Sequence, residues 1–156
     1  MVELIPVNSE NIGNYVAFEK CYDRQLKEYM SRIYPNHHEN FAEMDAAGLL
    51  LWSYIFYNKN PIGSIWIEKE SKKKKTAVLG VFLADESARG KHLGEEAIGI
   101  ACRTGAQVLS VDSVELNVRL HNERAIRCYE KCGFKKEYRF TKPNGIEVIH
   151  MLKMLP

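Results

Sequence analysis

The residues with the clearest chemical potential lie between Leu79 and Gly94. An apolar run, Leu79-Gly80-Val81-Phe82-Leu83, passes through Ala84-Asp85-Glu86-Ser87-Ala88 into Arg89-Gly90-Lys91-His92-Leu93-Gly94. The order reads as a strand, a basic turn with glycines and a helix. The first N–H groups of a helix lack helical carbonyl partners and sit at the positive end of its dipole, so such a turn can hold phosphate with main-chain atoms. Gly90 and Gly94 allow a diphosphate close to the backbone, and Arg89 adds a charged fork. The spacing is neither that of a P-loop nor that of a dinucleotide-binding turn. A second group, Asn122, Ala125 and Tyr129, falls at i, i+3 and i+7 and shares one face of an expected helix. Asn122 is also a favoured residue type for capping that helix.

Together the two segments resemble the GNAT superfamily of acyl-CoA-dependent N-acetyltransferases. The family's diphosphate signature is Gln or Arg, two variable residues, Gly, one variable residue, then Gly or Ala. Here it reads Arg89 to Gly94, with His92 where the middle glycine usually stands. The second signature, Asn-x-x-Ala-x-x-x-Tyr-x-x-x-Gly-Phe, is complete as Asn122, Ala125, Tyr129, Gly133 and Phe134. The resemblance spans Leu79 to Phe140.

The resemblance implies acetyl-CoA as cosubstrate. Its diphosphate would bind Arg89 and the backbone of Gly90, Lys91, His92, Leu93 and Gly94. Its pantetheine arm would run along Val81, Phe82 and Leu83 in a gap between splayed strands, past Asn122, the small Ala125 and Tyr129. A Cβ at His92 is expected to be accommodated without positive φ. The resemblance gives Tyr129 the role of general acid, since a phenol with a pKa near 10 can supply a proton to a departing thiolate. An N–H of Val81 or Phe82 is the expected oxyanion donor. In some branches a carboxylate base stands five residues before the helix-start Asn, but here that position is Asn117. Glu115, on the same face of the same strand, is the candidate substitute. Asp85 or Glu86 acting through water, or a low-pKa acceptor needing no base, remain alternatives.

The elements that must position these groups follow from periodicity. Val2–Val7 reads as a strand, and Ser9 or Asn11 begins a helix running to about Met30. A loop with His37 and His38 leads to a short helix over Phe41–Ala47. The resemblance implies that this region lines the acceptor pocket, where the carboxylates of Glu39, Glu43 and Asp45 would attract a cationic amine; a charged loop is the alternative reading. Leu49–Tyr57, Ile62–Glu68 and Thr76–Leu83 read as strands, with a turn at Asn58-Lys59-Asn60-Pro61. Leu93, Ala97, Ile100, Ala101, Thr104 and Val108 predict the buried stripe of the next helix, with Gly105 marking its weak end. Val114–Val118 is a strand and Asn122–Cys132 a helix closed by Gly133. Phe134–Phe140 and Ile146–Leu155 form a hairpin turning on Asn144-Gly145. The expected fold is a three-layer α/β domain over 1–156, a mixed, mostly antiparallel sheet of about seven strands flanked by about four helices.

Composition agrees with a soluble cytoplasmic domain: 156 residues, 46% hydrophobic, 27% charged, net charge +2. No signal peptide or membrane span is expected, and no membrane partner. Cys21, Cys102, Cys128 and Cys132 lack metal-site spacing, so no metal is expected. The run Lys72–Lys75 has no interleaved aromatics and reads as a solvated turn, without nucleic acid as partner. Val148 and Ile149 are candidate dimer-edge positions, and a monomer or a homodimer is expected. The expected activity is transfer of acetyl to a primary amine of a small molecule (a polyamine, an aminoglycoside or an amino acid) or of a protein N-terminus. A non-catalytic acyl-CoA-binding module and an N-terminal acetyltransferase needing a partner subunit are the rivals. Tyr34, Trp52, Tyr54 and Trp66 do not match an aminoglycoside-site pattern.

Overall fold

The computed structural model describes residues 1–20, 41–84, 88 and 90–156. Its elements are β1 (Val2–Pro6), α1 (Ile12–Lys20), α2 (Phe41–Ala46), β2 (Leu50–Tyr57), β3 (Asn60–Glu68), β4 (Thr76–Leu83), α3 (Leu93–Val108), β5 (Ser113–Arg119), α4 (Glu123–Lys131), β6 (Lys135–Thr141) and β7 (Glu147–Met154). The seven strands form one sheet in the order β1-β2-β3-β4-β5-β7-β6. Every pairing is antiparallel except β4 with β5. The expected mixed sheet with flanking helices is therefore present. Residues 21–30 of the first expected helix, the His37-His38 loop and Glu39 lie outside the described residues.

Strand alternation sends side chains to two faces. Ile65, Ile67, Ala77, Leu79, Val114, Leu116, Val118, Ile149 and Met151 are buried on the face that packs against α3 and α4. Trp52, Tyr54 and Trp66 are buried on the other face, where Ile12 of α1 and Phe41 and Met44 of α2 pack against them. The Tyr54 hydroxyl donates to the Asn11 carbonyl at 2.7 Å and ties that layer to the start of α1.

Several sequence expectations are corrected. The stripe of α3 that is buried is Leu93, Ala97, Ile98, Ala101, Cys102 and Gly105; Val108 is exposed, and Ile100 and Thr104 are only half-buried. Gly105 is a packing site and not a weak end, because a Cβ there would come within 3.0 Å of the Ile67 side chain. The β2–β3 turn is the two-residue Asn58-Lys59, both at positive φ (50° and 66°), so Asn60 and Pro61 belong to β3. In the β6–β7 connection only Gly145 is left-handed, at φ 86°; the Gly145 N–H donates to the Lys142 carbonyl at 2.9 Å. That is a turn centred on Pro143-Asn144 followed by a left-handed glycine, not an Asn-Gly turn. Val148 and Ile149 cannot form a dimer edge: both are buried, and β7 lies between β5 and β6. Lys72–Lys75 are exposed, as expected of a solvated turn. Among the described residues no helix is long and apolar enough to cross a membrane.

Candidate active site

The parallel pairing of β4 and β5 covers only Thr76–Val78 against Ser113–Glu115. Beyond it the strands separate while β4 continues to Leu83 and β5 to Arg119. The parting opens a cleft of about 1120 Å³. Its walls include Gly80–Leu83 of β4, the turn and first residues of α3, Asn117 and Val118 of β5, and Asn122, Ala125 and Tyr129 at α4. Main-chain groups of β4 that would otherwise bond to β5 are thus turned toward a gap. Gly80 is required by packing. A Cβ there would lie 2.1–2.4 Å from the Trp66 indole, which packs across the strand at that point.

At the mouth, Gly90 (φ 78°) and His92 (φ 60°) are both left-handed. The expectation of negative φ at His92 is wrong. The turn is left-handed at the position where the resembled signature carries glycine, and His92 bears the cost of its Cβ. His92 is the N-cap residue of α3 and makes no side-chain capping bond; its Nδ1 lies 3.1 Å from Glu95 Oε1. Gly90, His92, Leu93 and Gly94 line the cleft. The Lys91 ammonium instead lies over the Tyr57 ring, 5.9 Å from its centroid. Arg89, Asp85 and Glu86 lie outside the described residues.

Asn122 does both things its type allows. Its Oδ1 accepts from the Ala125 N–H at 3.3 Å, capping α4, and the residue lines the cleft. Tyr129 also lines the cleft and meets Phe134 edge-on, ring centroids 5.9 Å apart. Burial, with the neighbouring Cys128 and Cys132, pushes the Tyr129 phenol well above its usual range, so it stays protonated. Cys128 and Cys132 share a hydrogen bond that holds the Cys128 thiol up and draws Cys132 down; burial raises Cys102 to about 11. Among the described residues no cluster of His, Cys, Asp and Glu could hold a metal.

Sequence reasoning missed the cations at the rim. Arg124, Arg127 and Lys131 of α4 and Lys142 of the β6–β7 turn line the cleft, a setting suited to an anionic ligand. The helical spacing of Arg124, Arg127 and Lys131 is visible in the sequence; that they and Lys142 front the cleft is not.

Glu115 is not among the cleft-lining residues. It lies on β5 two positions before Asn117, its Oε2 3.3 Å from His150 Nε2. Asn117 does line the cleft, and its Oδ1 is 2.8 Å from His150 Nδ1. Glu137 Oε1 is 3.4 Å from His150 Nε2, and the Tyr138 ring stacks on the imidazole at 4.7 Å and 13°. His150 gave no sequence signal, because strand pairing alone brings it to Asn117.

The chain matches the family described as "Acetyltransferase (GNAT) family" over residues 15–134. It is 28% identical to a spermidine N(1)-acetyltransferase of Vibrio cholerae over 133 residues, covering 83% of this chain and 69% of that protein. It is 33% identical to an aminoglycoside N(6′)-acetyltransferase type 1 of Klebsiella pneumoniae over 85 residues, covering 53% of this chain and 41% of that protein. Among solved structures, a ribosomal L7/L12 alpha-N-protein acetyltransferase in complex with coenzyme A superposes with a TM-score of 0.83 at 12% identity, covering 99% of this chain and 94% of that one.

Proposed function

Because this chain belongs to the acetyltransferase (GNAT) family, we propose that it moves the acetyl group of acetyl-CoA to a primary amine by direct attack within a ternary complex, residues 1–156 acting as one domain. The observation that carries this reading is the splay of β4 from β5, which puts a left-handed, glycine-bearing turn and the Tyr129 phenol on one continuous cleft.

In this reading the diphosphate sits against the turn at the start of α3, with the rim cations of α4 beside it. Pantetheine runs along Val81, Phe82 and Leu83, adding a strand-like partner where β5 has moved away. The acceptor nitrogen attacks the thioester carbonyl, and a main-chain N–H of Val81 or Phe82 steadies the oxyanion. When the C–S bond breaks, Tyr129 gives its proton to the sulfur, and the phenol is restored by the proton that the acylated nitrogen loses as it becomes a neutral amide. Freeing an ordinary alkylammonium at pH 7 costs about 4–5 kcal/mol. Glu115 is the candidate base for that proton, half-exposed on the strand whose Asn117 borders the cleft.

The relatives named for spermidine and aminoglycoside acetylation, and the structural neighbour named for a ribosomal protein, set the acceptor classes to try. Thiol release from acetyl-CoA would be followed with polyamines, aminoglycosides, amino acids and N-terminal peptides. One acceptor class is expected to turn over. Tyr129→Phe should lower kcat by about 100-fold with little change in acetyl-CoA affinity. Tight CoA binding without release from any acceptor would sink the transferase reading in favour of a CoA-binding module.

A further inference from the structure

We propose that Trp66 sets the length of acyl chain this site takes: its indole closes the inner end of the cleft at Gly80, which suits a two-carbon acyl group and turns away chains of four carbons. The inference rests on the transferase reading above for where the thioester lies; the shape of the inner end does not depend on it.

The pairing of β4 with β5 stops at Val78 opposite Glu115, and the cleft begins there. β4 runs from that vertex toward the turn at the start of α3. Pantetheine laid back along Leu83, Phe82 and Val81 therefore points its sulfur toward the vertex. With the carbonyl oxygen on the N–H of Val81 or Phe82, the acyl carbons beyond it reach the level of Gly80. Three closures meet them there. Straight ahead is the β4–β5 ladder, made of main chain. On the helix side stand Leu79, Ile98 and Val118, which line the cleft and belong to the buried core. On the opposite face lies the Trp66 indole.

Trp66 sits on β3, directly opposite Gly80. Because Gly80 has no side chain, the indole lies across β4 and lines the cleft, although Trp66 is only 3% exposed. Its Cε2, Cζ2 and Nε1 come within 2.1–2.4 Å of the point that a Cβ on Gly80 would occupy. The ring has little room to retreat. Trp52 pairs with it from β2, Tyr54 belongs to the same buried cluster, and Phe41 of α2 meets Trp52 edge-on at 5.7 Å. A longer acyl chain thus needs the indole to turn into packed aromatics, the helix-side core to part, or the ladder to open. The ladder is main chain, and the helix-side residues are shared with the core of the domain. The indole is the closure that a single side chain supplies, so it is the one a substitution can remove.

The test is titration calorimetry of the full chain with CoA, acetyl-CoA, propionyl-CoA and butyryl-CoA, which needs no acceptor. Butyryl-CoA is expected to bind at least about tenfold more weakly than acetyl-CoA, with propionyl-CoA between them, the discrimination a pocket shows against a methylene that does not fit. Equal affinity for the three acyl-CoAs overturns the proposal and leaves the transferase reading standing. Failure to bind CoA itself overturns that reading, and this proposal with it. In Trp66→Leu the gap between acetyl-CoA and butyryl-CoA should shrink by about tenfold. If circular dichroism shows that Trp66→Leu does not fold, Trp66→Phe, with its smaller ring, should narrow the gap by about threefold. A purely structural role for the indole would weaken all four ligands together and leave their ratios as they were. An unchanged ratio in a folded variant therefore overturns the proposal.

Discussion

The two strands that border the cleft serve it in opposite ways. β4 offers main chain: Gly80 has no side chain, and beyond Val78 the strand edge has no β5 partner. β5 offers a side chain, Asn117, and holds it from behind with His150 of β7. Recognition by backbone places few demands on residue type except where a Cβ would intrude. Recognition by a side chain depends on whatever a distant strand places behind it. A wall of main chain suits any ligand that completes a strand; a wall of side chain presents one particular group.

If that contrast holds, Gly80→Ala should do the largest damage on the β4 side. The added Cβ falls on the Trp66 indole, so the ring must shift. A loss of about 1–3 kcal/mol of folding stability is expected, together with weaker CoA binding, read by denaturant unfolding and by titration calorimetry. Unchanged stability would mean that Trp66 has room to move and that the wall is softer than described. Asn122→Ala removes the α4 cap and should cost about 1 kcal/mol. CoA affinity falling by more than the stability loss explains would point to a separate contact from Asn122 to the cofactor. The smallest effect is expected from His92→Gly. It relieves a left-handed non-glycine residue, at a cost in unfolded-chain entropy, and should leave a net gain of about 0.5–1 kcal/mol. A melting temperature that falls instead would show that the His92–Glu95 contact outweighs the strain.

The same contrast explains what could be read from the sequence. β4 has the boundaries expected, and α3 starts at Leu93 as its spacing predicts but runs past Gly105 to Val108, because the start signal is local while the tolerance for Gly105 comes from packing on Ile67. The cleft-lining places of Asn122, Ala125 and Tyr129 follow from one helix face. Which stripe of α3 is buried was misjudged: Ile98, Cys102 and Gly105 face the sheet, and Gly105 does so because the helix must approach Ile67 closely. The conformation of His92 was misjudged because a residue's type limits φ less than its turn does. His150 was invisible, since a lone histidine in an apolar strand carries no sign of what faces it across 33 residues. Glu115 shares the strand face of Asn117, as alternation predicts, but its contact with that histidine depends on the same distant pairing.

That pairing also bears on how the strands find their alignment. β7 must enter between β5 and β6, and a slide of two residues along β5 would leave every apolar side chain on its proper face. Hydrophobic burial is therefore nearly blind to such an error. The slide would set His150 opposite Glu115 or Arg119 in place of Asn117 and would break its 2.8 Å contact with the Asn117 amide. The contact behind the cleft thus adds a polar preference for one alignment of the C-terminal hairpin where hydrophobic burial expresses none.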